Sequence, residues 1–355
     1  MLPERLGREE PFLRPPEHIT APHPFIAIGD IDVVVNRVVP GSKDDRKISS
    51  FQQQLLRYQR EYGPKECTYY YVSHAELLAE IEARIARHLT QTDMATGVVN
   101  FDRYILEGST DPHIIRLELS RGANNELVPR PGTAFTREEQ VEQLRSWLTK
   151  GGYSRVLLTD DVIAFATTFP PIIEVIREAL PDSQLTAISG ICSSQGTWSG
   201  KEKLVALGVD VESVITAVAS PAPEGSTKGM AIPDSRDMTV FGGKIGQTLD
   251  GARVSFPYFY PFSKPFDSVL RPEVHTLASE ALLQFNIDLV SHVDRLLERP
   301  LTMRDLRGAG FGIPHTSVDE FKDALEPPND DTDVSSYLSH VQSLFSDLMK
   351  RIVKT

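Results

Sequence analysis

The stretch that most constrains the fold lies at residues 155–168, RVLLTDDVIAFATT. An apolar run, Val156-Leu157-Leu158, leads into two adjacent carboxylates, Asp160 and Asp161. A loop of mostly small and hydroxyl residues follows, Ala164, Phe165, Ala166, Thr167 and Thr168, and then a helical pattern over 170–180. Strand, acidic pair, loop and helix in that order put both acids at the carboxyl edge of a sheet, where open α/β sheets bind ligands. Backbone N–H groups of the loop and of the first helical turn would face the same spot, a natural phosphate seat. Carboxylates beside an anion cradle suit a sugar phosphate, with its diol on the acids and its phosphate on the loop. The plainer explanation is that the acids only cap the next helix.

This segment resembles the phosphoribosyl-pyrophosphate (PRPP) motif of type I phosphoribosyltransferases: a hydrophobic strand, two acids, a few small residues, Gly, any residue, then Thr or Ser. Ala166 stands where the family usually carries Gly, and Phe165 is bulky for a phosphate loop. A position needing positive φ would be strained as Ala. The resemblance implies an α/β fold with a Rossmann-like, mostly parallel sheet, extended by N-terminal and C-terminal elements. It implies that Asp160 and Asp161 hold the ribose and Mg²⁺, and that residues 164–168 wrap the 5′-phosphate. The implied activity is Mg²⁺-dependent transfer of phosphoribosyl to an acceptor, by stabilising an oxocarbenium-like centre as pyrophosphate leaves. Asp161 is also placed to accept a proton from the acceptor. A catalytically silent sensor or effector of the same fold stays open beside the enzyme.

A second acidic pattern, Asp30-Ile31-Asp32 after an apolar run, resembles the opening of a haloacid-dehalogenase-type phosphatase, a second alternative, but the small-residue loop expected next does not follow. No Ser-His-Asp or Cys-His arrangement is visible. The 232–246 segment, IPDSRDMTVFGGKIG, offers Arg236 as a fork for phosphate or carboxylate. Asp237 would orient it or bind a metal, and Gly243 and Lys244 would serve as an anion-binding turn. That turn lacks the spacing of a P-loop, and a hairpin with a solvated Lys explains it equally.

A formal charge of −12 over 355 residues argues against a nucleic-acid surface. It also means that an anionic ligand needs local cations or backbone N–H groups. Two cysteines, Cys67 and Cys192, are too few for a disulfide framework, and Cys192 reads as a buried thiol. No apolar run approaches the ~18 residues of a membrane span, and the polar, Pro-rich first residues lack a signal-peptide core. The expectation is a cytoplasmic protein with a small-molecule phosphate as partner; the resemblance adds a homodimer.

Four parts are expected: an arm at 1–24, an α+β part or hood at 25–135, the core at 136–250, and an aromatic wrap with helices at 251–355. Residues 25–39 read as one or two strands, and 48–62 as a helix. Residues 68–72 read as a strand, and Ser73 with Glu76 as the capping box of a helix at 75–89. His74 and His88 read as structural. Residues 114–121 alternate like one strand; the resemblance makes Arg116, Arg121 and Arg130 candidates to reach a pyrophosphate, and surface charge on a hairpin explains each at least as well. Thr136 caps a helix to about residue 150. Strands at 185–192 and 214–218 flank a helix at 200–207, the pattern of a parallel sheet. Helices follow at 272–299 and 334–350, and 302–312 reads as a short helix ending in a Gly-rich turn. No pyrophosphate loop is legible.

Overall fold

Val156, Leu157 and Leu158 lie in the middle of a parallel sheet, and their alternation sets its two faces. This computed structural model describes residues 12–352 except 22, 44, 92–93, 122–125, 195–198, 219–231, 248–252, 260, 264–273, 319–320, 322–324 and 326–327. The chain opens with β1 (His18–Ile19), β2 (Pro24–Gly29), α1 (Ile31–Val38), α2 (Arg46–Tyr62), β3 (Thr68–Ser73) and α3 (His74–Leu89). Next come β4 (Thr96–Asn100), β5 (Ile114–Arg116), β6 (Leu119–Arg121), β7 (Leu127–Pro129) and α4 (Arg137–Gly151). The β/α alternation continues through β8 (Arg155–Ile163), α5 (Pro170–Ala179), β9 (Gln184–Ser194), α6 (Gly200–Ala206) and β10 (Asp210–Val218). The last part holds β11 (Lys244–Gln247), β12 (Arg253–Phe256), α7 (His275–Leu297), α8 (Met303–Gly308), β13 (Ile313–Pro314) and α9 (Val334–Ile352).

The fold is α/β. Its central sheet has six parallel strands in the order β1-β10-β9-β8-β4-β5. Setting aside the edge strand β1, the order of appearance across the sheet is 2-1-3-4-5, a doubly wound arrangement. Connections leave β4 and β8 in opposite directions, so the switch point falls between those two strands.

Period-two alternation packs both faces. Val156 and Leu158 join Leu144, Leu148, Ile172, Ile176 and Leu204 under α4, α5 and α6. Leu157 faces the other way, onto Ile81 and Ile85 of α3. A further layer is helical: α1 and α2 share a core with α7, α8 and α9 through Phe51, Leu55, Phe285, Leu289 and Phe345. The N-terminal helices thus pack on the C-terminal ones, while β4 and β5 from the same 25–135 span join the central sheet.

Three local expectations change. Residues 25–39 split into strand β2 and helix α1, because Val34 and Val35 recur at helical spacing with Ile31 and are buried on one face. Residues 114–121 form two strands: β5 pairs with β4 in the central sheet, whereas β6 pairs with β7 in a separate hairpin. Strand β8 runs on through both acids to Ile163, held by pairing of Asp160 with Ser189 and Val162 with Ile191. Among the described residues no helix is long and apolar enough to cross a membrane.

Candidate functional site

A cavity of about 490 Å³ opens at the carboxyl ends of β4 and β8, at the switch point. This is the size of an ordinary small-ligand pocket. Asp160, Asp161 and the whole 164–168 turn line it, facing Arg103, Tyr104 and Arg130. The C-terminal part closes the far side with Tyr258 and the Gly310-Phe311-Gly312 stretch.

The turn is held from below. The Ser193 hydroxyl donates to the Ala164 carbonyl and accepts from the N–H of Gly200 at 3.1 Å, tying the turn to β9 and α6. Lys203 Nζ donates to the Phe165 carbonyl at 3.4 Å. Ala166 sits in the left-handed region, with φ +53°. Among the described residues the backbone N–H groups of Ala166, Thr167 and Thr168 have no protein acceptor. The first turn of α5 adds none: Pro170 and Pro171 lack the group, and Ile172 and Ile173 donate to the Phe169 carbonyl. The expected contribution of the helix to an anion seat is therefore absent, and the loop alone supplies the donors.

The two acids divide their surroundings. Asp160 accepts from the N–H of Asp161 at 3.1 Å. Burial lifts its pKa well above the ordinary range, with Asp161 and Asp102 adding to the shift and Arg130 opposing it. Asp161 lies 3.4 Å from Arg236 and 3.9 Å from His74 Nε2. Gly190 on β9 is needed here, because a Cβ would meet the Asp161 carbonyl at 2.8 Å.

Arg236 lines the cavity as a nucleus of carboxylates rather than as an open fork. Its Nε lies 3.3 Å from Asp30, and one terminal nitrogen reaches Asp234 at 2.7 Å and Asp161. Burial works against its charge, but Asp234, Asp30 and Asp161 hold its pKa above the ordinary value. Asp30 itself is fully buried, and desolvation raises its pKa to about 7 against the pull of Arg236. It therefore offers no open nucleophile of the phosphatase kind. Gly243 lines the cavity in a left-handed conformation, φ +102°, and donates to Asp237 at 3.0 Å. Lys244 begins β11, but its side chain lies outside the described residues, as does that of Arg121.

Arg130 does reach the cavity. Its guanidinium donates to the Leu119 and Phe101 carbonyls at 3.0 and 2.8 Å, and no carboxylate pairs with it among the described residues. Arg116 instead donates to the Ile105 and Leu106 carbonyls. Sequence reasoning missed the turn after β4. There Asp102 accepts from the N–H groups of Tyr104 and Ile105 at 2.7 and 3.0 Å, and Arg103 bonds Glu118 and Gly310. An acid two residues beyond a buried strand end was the available signal. His74, read as structural, is wholly buried beside Asp161 and Asp102.

No protein-family model matches the chain, and no curated protein does. Among solved structures it is similar to orotate phosphoribosyltransferase from Aeropyrum pernix, at 17% identity and a TM-score of 0.20 over 53% of this chain and 93% of that one. A TM-score that low says nothing about activity, so the residues of the cavity have to carry the functional reading.

Proposed function

We propose that the cavity binds a ribose 5-phosphate compound, PRPP or a nucleotide, with Mg²⁺, and transfers phosphoribosyl to an acceptor. The carrying observation is the acid pair and the N–H-bearing turn, presented by one strand at the switch point into one cavity. In this reading the acids take the ribose hydroxyls and the turn takes the 5′-phosphate. Arg130, which has no ion-pair partner among the described residues, lines the cavity and would supply positive charge to a leaving pyrophosphate. Carboxylate oxygens are the donors that Mg²⁺ accepts, so Asp160 and Asp161 fit the ion, whose chemistry is to offset leaving-group charge.

A second reading, binding without turnover, draws on the two prolines that remove helix N–H groups from the phosphate seat. Calorimetric titration with PRPP, ribose 5-phosphate and a nucleoside monophosphate, with and without Mg²⁺, separates the two. Mg²⁺-dependent PRPP binding that is lost in D160N/D161N supports the transferase. Binding of the monophosphate alone supports a sensor. No binding of any of the three would mean that the turn only caps a strand.

A further inference from the structure

Behind Asp161 stand His74, with no hydrogen-bond partner among the described residues, and Asp102, with one of its two oxygens unpartnered. His74 is fully buried, and among the described residues neither ring nitrogen has a partner. Asp102 is fully buried as well. One of its oxygens is fixed by two backbone N–H groups, while Oδ2 has no partner. Ligand atoms of His74, Asp102 and Asp161 all lie within 4.8 Å of one another, and the His74 nitrogens and Asp102 Oδ2 make no hydrogen bond to each other or to Asp161. A buried imidazole and a buried carboxylate oxygen left unsatisfied are costly. A cation among them satisfies all three groups at once.

We propose that His74, Asp102 and Asp161 bind one divalent first-row transition-metal ion beneath the floor of the cavity. The ligand set is one imidazole and two carboxylates, and the imidazole favours Mn²⁺, Fe²⁺, Co²⁺ or Zn²⁺ over Mg²⁺ and Ca²⁺. Two features show preparation for a ligand role. The Asp102 carboxylate is oriented by the turn that it closes, as outer partners orient metal ligands. His74 opens α3 with its ring edge-on to Tyr104, at 5.2 Å and 87°. The ion would hold Asp161, the one ligand that also lines the cavity.

The site does not rest on the phosphoribosyl reading, and its test contains no sugar phosphate. Full-length protein stripped with chelator is titrated with Co²⁺, followed by visible absorption, and then with Mn²⁺ and Zn²⁺ in competition. Saturation at one ion per chain is expected, with Mg²⁺ unable to displace it. H74Q and D102N should each weaken binding by at least about 100-fold, beyond the usual loss for an outer partner. D182N, in the exposed turn after α5, should bind as wild type does. D102N retains the oxygen that accepts from Tyr104 and Ile105, so it is expected to fold, as circular dichroism will show. Absence of saturable binding, or unchanged binding by folded D102N, would overturn the proposal.

Discussion

Ala166 is the residue on which the phosphate turn is most exposed to test. A left-handed conformation costs a non-glycine residue about 1–2 kcal/mol, yet its methyl is buried at 6% exposure. Replacing it by Gly relieves that strain but gives up about 0.8 kcal/mol of burial and adds about 0.4–1 kcal/mol of unfolded-state entropy. These terms nearly cancel, so A166G is expected within about 1 kcal/mol of wild type in urea unfolding. A166V joins a β-branched side chain in the left-handed region to overpacking of roughly 1–3 kcal/mol, and should be clearly destabilised. A neutral A166V would mean that the turn does not hold this conformation. The acids and the turn were legible in sequence because all lie on consecutive residues. His74 and Asp102 were not, since only the crossing of chains at the switch point brings them to Asp161. The loss of helix donors was legible in Pro170-Pro171, and the expectation overlooked it.

Elements with local signals came out as expected. Ser73 with Glu76 and Thr136 with Glu139 form full capping boxes at the starts of α3 and α4. The break between β5 and β6 left no such mark, because side-chain alternation continues while the strand changes partners. Helix α8 begins with a box the sequence reading did not name, Thr302 with Asp305, and Arg299 grips Asp305 from two nitrogens at 2.6 and 2.9 Å. That grip, stronger than the opposing effect of burial, holds the Asp305 pKa well below the ordinary range. A lowered folded-state pKa gives stability that is present above the unfolded value, near pH 4. It is lost as pH falls through the folded value. The stability difference between wild type and D305N should therefore be constant from neutral pH to about pH 5 and shrink below about pH 4. Denaturant unfolding over that range measures it; a difference that grows in acid would sink the assignment. Arg299 is half exposed, so added salt should reduce the effect.

At the scale of the molecule, the sheet and the helical layer meet through the charged nucleus under the cavity. Arg236, which follows Asp234 in a short turn, reaches Asp30 at the end of β2 and Asp161 on β8. Arg103, after β4, donates to Gly310 beyond α8 at 2.6 Å. Neither layer can come apart without leaving buried charges unpaired, which is strongly unfavourable. The layers should therefore unfold together. Phe285 allows a test from the far side: it is fully buried in α7, edge-on to Phe51 of α2 at 5.7 Å and to Tyr58 at 6.1 Å. F285A should cost about 3–5 kcal/mol, with the injury confined to the helical layer. Trp147 on α4, whose indole donates to the Pro112 carbonyl at 2.9 Å, reports on the sheet layer. In a W198F background its emission should move to lower denaturant together with the helical signal in circular dichroism, by the same amount. Emission that kept the wild-type midpoint would show two independently folding layers. A cavity shared between such layers would then lose its far wall, Gly310-Phe311-Gly312, when the helical layer melts.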